Sequence, residues 1–382
     1  MKRTTSLACY VLSRSALPLA QRLAQGLASS PWRAPSGRCV KQCRINAPTR
    51  ICRTCEGHMH AFQHLQDCLT QEYHRHAAHI FLGAAGIAVR VLAPLLRHKG
   101  EDPPVLVLDP AGRFVISLIC GHWGGGNALA RHIARLVGAM PVITTASDSS
   151  TNNVTPLTLD LLLRDAGLRI LDWGCLPKAQ AALLEGRTLP LWDPCHALPE
   201  ATPPAFKRLT CDEDGPPPTD MTRTSPIPIS AAHWRRMPKA KNLLRIAVPR
   251  LYVGLGCRKN LPQDVAVTAL EELFAANNLE PRAVAGLASV EEKWKEPLLL
   301  FAAARLHAPL FVFAAATLAQ CDTPHPSQAA GHRFGQKDFS VCEAAALLAA
   351  GQGSRLVVSK QTYKRCLTLA VALAAQHPQF SI

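Results

Sequence analysis

Residues 107–148 read VLDPAGRFVISLICGHWGGGNALARHIARLVGAMPVITTASD. Leu106 to Asp109 and Phe114 to Cys120 are short apolar runs, and Asp109-Pro110-Ala111-Gly112 is a turn between them. Gly121-His122-Trp123-Gly124-Gly125-Gly126-Asn127 breaks the second run. From Ala128 to Val137, residues Leu129, Ile133 and Leu136 recur at helical spacing. Pro141-Val142-Ile143-Thr144-Thr145 returns as a buried strand. Strand, loop, helix and parallel strand make one crossover unit, and ligands of such sheets gather at the carboxyl ends of strands. His122 and the glycines are expected at one such end, with Asp148 just beyond the next. The pattern predicts an α/β protein of several domains, built on open, mostly parallel sheets with flanking helices.

Working outward, Leu7 to Leu12 reads as the first strand and Ala16 to Leu27 as the first helix. Residues 31–78 are rich in Cys, His and Arg and poor in apolar periodicity, so they read as an insertion. His79-Ile80-Phe81-Leu82 is a strand, Gly83-Ala84-Ala85-Gly86 a loop and Ile87 to Leu96 a helix. Glycines let a backbone approach a ligand and helix N-termini attract anions. This second loop is expected at the same sheet end as Gly121. The alternative for the Gly83–Gly86 loop is a tight turn that serves helix–sheet packing.

The remaining chain divides by composition. Residues 1–148 form an N-terminal α/β domain, and 149–198 a middle α/β module. Residues 199–243, with Pro203-Pro204, Pro216-Pro217-Pro218, Pro226 and Pro228, read as a linker. Residues 244–382 form a C-terminal α/β domain. It opens with a strand, Leu244 to Val253, interrupted at Pro249. Gly254-Leu255-Gly256-Cys257-Arg258-Lys259 follows as an anion-cradling loop. It has neither the third glycine of a dinucleotide fingerprint nor a Walker lysine, so no nucleotide reading follows. Val290 onward is a helix to His307 on which Lys293 and Glu296 read as a surface pair. Ser340 to Gly351 and Tyr363 to Ala375 read as helical or mixed elements around Leu356-Val357-Val358.

The chain of 382 residues is 48% hydrophobic and 18% charged, a globular composition. Its net charge of +15 predicts attraction to anions: nucleic acid, phospholipid or a polycarboxylate. The arginines are scattered and aromatics make up only 5%, which disfavours nucleic acid. No apolar run reaches the ~20 residues that span a bilayer. Arg14 ends the first apolar run early and no cleavage site follows, so the expected compartment is the cytoplasm. Fourteen cysteines do not follow a disulfide framework. Cys39, Cys43, Cys52 and Cys55 are weak candidates for a zinc site, against free thiols or a redox pair.

The stretch GHWGGGNALARHIARLVGAMPVITTASD resembles the cobalt-precorrin-5A hydrolase family of anaerobic cobalamin biosynthesis. Phe81 to Arg90, Val253 to Lys259, Leu287-Ala288-Ser289 with Lys293 and Glu296, and Val341-Cys342-Glu343-Ala344-Ala345-Ala346 are similar to that family in the same order. Gly126 stands where the family usually has Ala, and residues 31–78 and 331–339 depart from its pattern. The resemblance implies a cobalt-bearing contracted tetrapyrrole as substrate. Water opens its ring-A δ-lactone, and the extruded carbon leaves with its methyl as acetaldehyde to give cobalt-precorrin-5B. Cobalt travels with the substrate, so no cofactor is expected. The implied partners are the corrinoid intermediate and neighbouring pathway enzymes, with neither nucleic acid nor membrane. A non-catalytic corrinoid carrier and a zinc-dependent nucleic-acid binder are the competing classes.

His122 is the candidate base, because imidazole titrates near neutral pH, and Asp148 the candidate to orient it. The N–H groups of Gly124 to Asn127 are candidates for an oxyanion hole or a propionate cradle. Asn127 as a simple helix cap and His122 as a loop brace are the alternatives. Candidate substrate contacts in this region are Gly83, Gly86, Arg90, Gly121, Gly124, Gly125, Gly126, Asn127, Thr144 and Thr145. In the last domain they are Gly254, Gly256, Arg258, Lys259, Lys293 and Glu296.

Overall fold

The computed structural model describes residues 6–35, 37–52, 59–145, 158–198, 206–209 and 227–377. The chain divides into two compact units, Met1–Leu161 and Leu162–Ser381. The expected boundary at 148 falls outside the described residues.

The first unit carries strands β1 (Ser6–Val11), β2 (Trp32–Arg33), β3 (Cys39–Val40), β4 (Gln42–Pro48), β5 (His60–Phe62), β6 (Ala78–Leu82), β7 (Val105–Leu108), β8 (Phe114–Ile119) and β9 (Met140–Val142). Its helices include α1 (Leu17–Ser29), α2 (Thr49–Cys52), α3 (Leu65–Glu72), α4 (Ala85–Leu92) and α5 (Gly126–Val137). Seven strands form one sheet in the order β5-β4-β1-β6-β7-β8-β9, and β2 and β3 pair apart as a small hairpin. Strand β1 is central because both of its faces are apolar. Leu7, Cys9 and Val11 pack under α1 and α5, against Leu23, Leu27 and Ile133. Ala8 and Tyr10 pack on the other face, with Phe81, Leu92 and Val107.

Residues 31–78 are not an insertion. Strand β4 pairs in parallel with β1 over five positions, Ser6↔Gln42 to Tyr10↔Asn46, and β5 pairs in turn with β4. The buried apolar residues of this stretch are split between two core clusters, Trp32, Val40, Ala47 and Ile51 in one and Phe62, Leu69 and Tyr73 in the other. So divided, they do not register as periodicity.

Strands β5, β4, β1, β6 and β7 are mutually parallel, but β7 and β8 are antiparallel, from Val105↔Ile119 to Leu108↔Val115. The turn is closed by the Asp109 carboxylate, which accepts the N–H groups of Arg113 and Phe114, each at 2.8 Å. A turn this short can only reverse the chain. The Gly83 loop and the Gly121 loop therefore open at opposite ends of the sheet.

The second unit holds two sheets. The first has the order β10-β14-β13-β11-β12, from β10 (Arg169–Ile170), β11 (Leu189–Trp192), β12 (Phe206–Arg208), β13 (Ile229–His233) and β14 (Leu243–Ala247). Residues expected in a 199–243 linker thus supply strands to this sheet. The second sheet has the order β17-β16-β15-β19-β18, from β15 (Leu251–Cys257), β16 (Val284–Val290), β17 (Leu310–Phe313), β18 (Arg355–Tyr363) and β19 (Leu367–Leu373). The expected single strand across Pro249 is two strands, β14 and β15, in different sheets. Helices here include α6 (Leu176–Leu184), α7 (Gln263–Ala276), α8 (Pro297–Leu306), α9 (Gln328–Phe334) and α10 (Val341–Ala350). Tyr363 to Ala375, read as helical or mixed, is mostly β19, whose Leu367, Leu369, Val371 and Leu373 alternate into the core. No helix among the described residues is long and apolar enough to cross a membrane.

Candidate functional site

The parallel part of the first sheet has a reversal of strand order at β1, with β4 on one side and β6 on the other. Helices α1 and α4 leave it on opposite faces. Such a switch point leaves a crevice at the carboxyl ends of the strands. A cavity of about 710 Å³ lies there. Leu12 follows β1, Pro48, Thr49 and Arg50 close β4, Phe62 to Gln66 close β5, and Ile87 and Val91 come from α4. The Thr49 hydroxyl donates to the Phe62 carbonyl at 3.1 Å and ties two of these strand ends together. Gly83 sits at this end. Its N–H donates to Leu108, and a Cβ on it would meet the Leu12 side chain at 2.9 Å. Gly86 faces open space, and Arg90 is exposed on α4 outside the cavity lining. Thr49, Arg50 and His64 were not singled out as crevice residues. The signal that leads to them is the β4 pairing, which brings the end of β4 beside β1.

The loop after β8 lies at the other end. Cys120 adopts φ 55 and Gly125 φ 77, which folds the loop back on itself. The N–H groups of Gly125, Gly126 and Asn127 donate to the carbonyls of His122, Cys120 and Gly121 at 2.9, 3.1 and 2.8 Å. Three of the four N–H groups proposed for an oxyanion hole are thus engaged inside the loop. Among the described residues, the Gly124 N–H has no protein acceptor. The glycines are close-packed. A Cβ would meet Asn127 Oδ1 at 2.5 Å from Gly121, Cys120 Cβ at 2.8 Å from Gly124, Pro35 Cγ at 2.6 Å from Gly125 and Cys120 O at 3.1 Å from Gly126. Pro35 and Trp32 belong to the β2–β3 hairpin, which covers the loop. Asn127 is buried and its amide donates to the Thr145 hydroxyl at 2.9 Å. His122 is half-buried and Thr144 exposed. Asp148 lies outside the described residues. Lys99 approaches this loop through its carbonyl, near the Cys120 thiol, while its ammonium pairs with Asp160 at 2.8 Å.

In the second unit, Gly254 and Gly256 are strand residues of β15, not a loop. A Cβ on Gly254 would lie 1.8 Å from the Cys342 carbonyl oxygen of α10, so this glycine permits strand and helix to touch. Arg258 and Lys259 follow the strand end, exposed. Lys293 and Glu296 are not a surface pair. They are 3% and 9% exposed and form an ion pair at 3.3 Å, while Glu296 also accepts the Asn260 N–H at 2.9 Å. They fasten the ends of β15 and β16 together. Burial pushes the neighbouring Cys257 thiol up to about 11, so it is a protonated thiol at neutral pH.

The four cysteines are not gathered. Cys39 is exposed, and Cys43 turns toward Cys9 in the next strand. The Cys52 thiol donates to the Ala47 carbonyl at 3.5 Å, and Cys55 lies outside the described residues. Among the described residues no group of three or more His, Cys, Asp or Glu is placed to hold a metal ion.

Comparison with known proteins adds a family. A model of the cobalamin synthesis G N-terminal region matches residues 67–148, and one of the cobalamin synthesis G C-terminus matches residues 251–372. A protein of Salmonella typhimurium (strain LT2) named cobalt-precorrin-5A hydrolase is 33% identical over 301 residues, covering 74% of this chain and 79% of that protein. The chain belongs to the cobalamin synthesis G family. A protein of the same name from Priestia megaterium is 26% identical over 314 residues, covering 77% and 78%. Among solved structures, the cobalamin biosynthesis protein chiG of Agrobacterium tumefaciens is 29% identical over 32% of this chain and 98% of its own, with a TM-score of 0.25. The N-terminal family match takes in the Gly83–Arg90 segment and the Gly121–Asn127 loop, whereas β1, β4 and β5 precede it. The C-terminal match takes in β15 and α10.

Proposed function

We propose that the protein is a cobalt-precorrin-5A hydrolase. In this reading it opens the ring-A δ-lactone of that tetrapyrrole with water and releases acetaldehyde, leaving cobalt-precorrin-5B. The observation that carries it is the 33% identity over 301 residues to a relative of that name. The +15 net charge supports it, because the substrate carries many carboxylates. Cobalt arrives within the substrate, and the reading assigns the protein no cofactor of its own. It places the enzyme in the cytoplasm, in the company of neighbouring pathway enzymes.

We assign the chemistry to the Gly121–Asn127 loop, which lies inside the matched N-terminal region. His122 takes a proton from water as the oxygen adds to the lactone carbonyl, and Asp148 orients it. The Gly124 N–H faces the oxyanion that develops. The ring C–O bond then breaks, and the departing alkoxide takes a proton from His122. The hydroxyl so formed loses its proton, its carbon becomes the aldehyde carbonyl, and the C–C bond to the macrocycle breaks. The macrocycle keeps that electron pair and takes up a proton. A second reading, favoured by the position of the 710 Å³ crevice at the switch point, seats the macrocycle beside His64 instead.

The test is incubation with cobalt-precorrin-5A and trapping of the aldehyde as a hydrazone. One acetaldehyde per substrate is expected. Bound substrate with no aldehyde would remove the hydrolase reading. Loss of release in His64→Ala but not in His122→Ala would move the chemistry to the crevice.

A further inference from the structure

The second unit contains a cavity of about 260 Å³ between the end of β15, helix α9, the start of α10 and the β18–β19 hairpin. Arg258, Arg333, Lys360 and Arg365 line it, and no acidic residue does. Ser340, 1% exposed, stands at the N-terminus of the ten-residue α10 and also lines it. Helix N-termini and converging guanidinium groups both favour an anion. Among the described residues Arg258 and Arg365 have no acidic partner, and Arg333 meets Glu292 only at 3.9 Å.

The walls are fixed. The Arg258 N–H donates to the Cys366 carbonyl at 3.1 Å, and the Thr368 hydroxyl to the Gly256 carbonyl at 3.2 Å. The Lys360 N–H donates at 2.9 Å to the fully buried carboxylate of Glu343. The same carboxylate also accepts the His325 N–H at 3.1 Å and pairs with its ring at 2.9 Å.

The turn at the cavity mouth is unusual. The Cys366 N–H closes on the Tyr363 carbonyl at 3.1 Å, and the two residues between, Lys364 and Arg365, have φ 46 and φ 53. Two successive left-handed positions are where Asn-Gly is favoured, and a Cβ there is unfavourable. Such outliers gather at binding sites. Here the cost is accepted at a position where the second side chain lines a basic cavity.

We propose that this cavity is a carboxylate-binding site that takes one acetate or propionate arm of the tetrapyrrole. The proposal rests on the hydrolase reading for the identity of the ligand, and on the cavity alone for its charge and size. At about 260 Å³ it falls below the roughly 300 to 1,000 Å³ of ordinary small-molecule pockets, so a whole macrocycle does not fit. One carboxylate arm fits.

The experiment uses the full chain and two probes: a porphyrin octacarboxylate for equilibrium binding and cobalt-precorrin-5A for turnover. Arg365→Gly relieves the left-handed backbone, so it folds at least as well as the parent. Arg258→Gln is the second variant. Each is expected to raise the octacarboxylate Kd about 10- to 100-fold, the loss of one charge-assisted contact. Each should also flatten the salt dependence and raise KM for cobalt-precorrin-5A with kcat unchanged. The porphyrin octamethyl ester should not bind the parent. Parent-like Kd and KM in both variants would overturn the site, even if acetaldehyde is released. Weakened octacarboxylate binding in the variants, with no acetaldehyde from the parent, would uphold the site and remove the hydrolase reading.

Discussion

Replacing Gly254 by alanine separates two accounts of the VGLGC segment. The added methyl would stand 1.8 Å from Cys342 O, 2.8 Å from Cys342 C and 3.0 Å from Ala346 N, all backbone atoms of α10. A carbon–oxygen contact settles at about 3.3 Å, so strand and helix must part by roughly 1.5 Å. Cys342, Ala344, Ala345 and Ala346 are at most 1% exposed on that helix, and each loses part of its dispersion contact as the gap opens. Overpacking against backbone that cannot rotate away belongs at the upper end of its range, about 3 kcal/mol. Gly256→Ala is the control. Its methyl meets the Thr368 hydroxyl at 2.5 Å but nothing else closer than 3.7 Å, and that side chain can turn at the loss of its hydrogen bond to the Gly256 carbonyl. The expected cost there is about 1 kcal/mol. Hydrogen exchange at the α10 and β15 amides, with urea unfolding beside it, reads the local opening free energy of each variant. Equal losses in the two variants would refute the packing argument. Intact stability with lost ligand affinity in Gly254→Ala would restore the cradle.

Two further outcomes are expected. His122→Ala should abolish acetaldehyde release in a single turnover while substrate still binds, and unchanged release would take His122 out of the mechanism. Burial opposes the charged form of Glu343, yet the Lys360 N–H, the His325 ring and the His325 N–H hold its carboxyl below the ordinary range. Its contribution is therefore complete above the unfolded value near 4.5 and is lost as pH falls through the folded value. Glu343→Gln should lower the unfolding free energy from urea titration at neutral pH by about 2 kcal/mol and make the decline below pH 4.5 shallower; an unchanged acid slope would refute this.

Much of the fold was legible because apolar runs and turn residues agree. The strands around Leu7–Val11 and His79–Leu82 and the helix after Gly125 follow from period and punctuation. The parallel return of β9 to β8 follows from the crossover pattern. Direction was less legible. The Asp109–Gly112 turn was visible, but its consequence, opposite ends for two glycine loops, requires tracing three strands, β6, β7 and β8. Strand β4 hid because Gln42, Arg44 and Asn46 interrupt its hydropathy, although pairing to β1 places Asn46 in a 2% exposed position. The run Leu367–Leu373 alternates Leu and Val with Thr and Ala, and the alanines suggested helix, whereas pairing to both β15 and β18 decided strand. At the site, residue types were legible and engagement was not. Nothing in Gly124-Gly125-Gly126-Asn127 announces that three of its N–H groups point inward.

The β10-β14-β13-β11-β12 sheet takes β10, β11 and β12 from before residue 210 and β13 and β14 from after residue 226. Two ladders cross that interval, β10 with β14 and β11 with β13. A protease cut within residues 210–226 would therefore divide the chain without dividing the fold. The two pieces would travel together on a native column and separate only in denaturant.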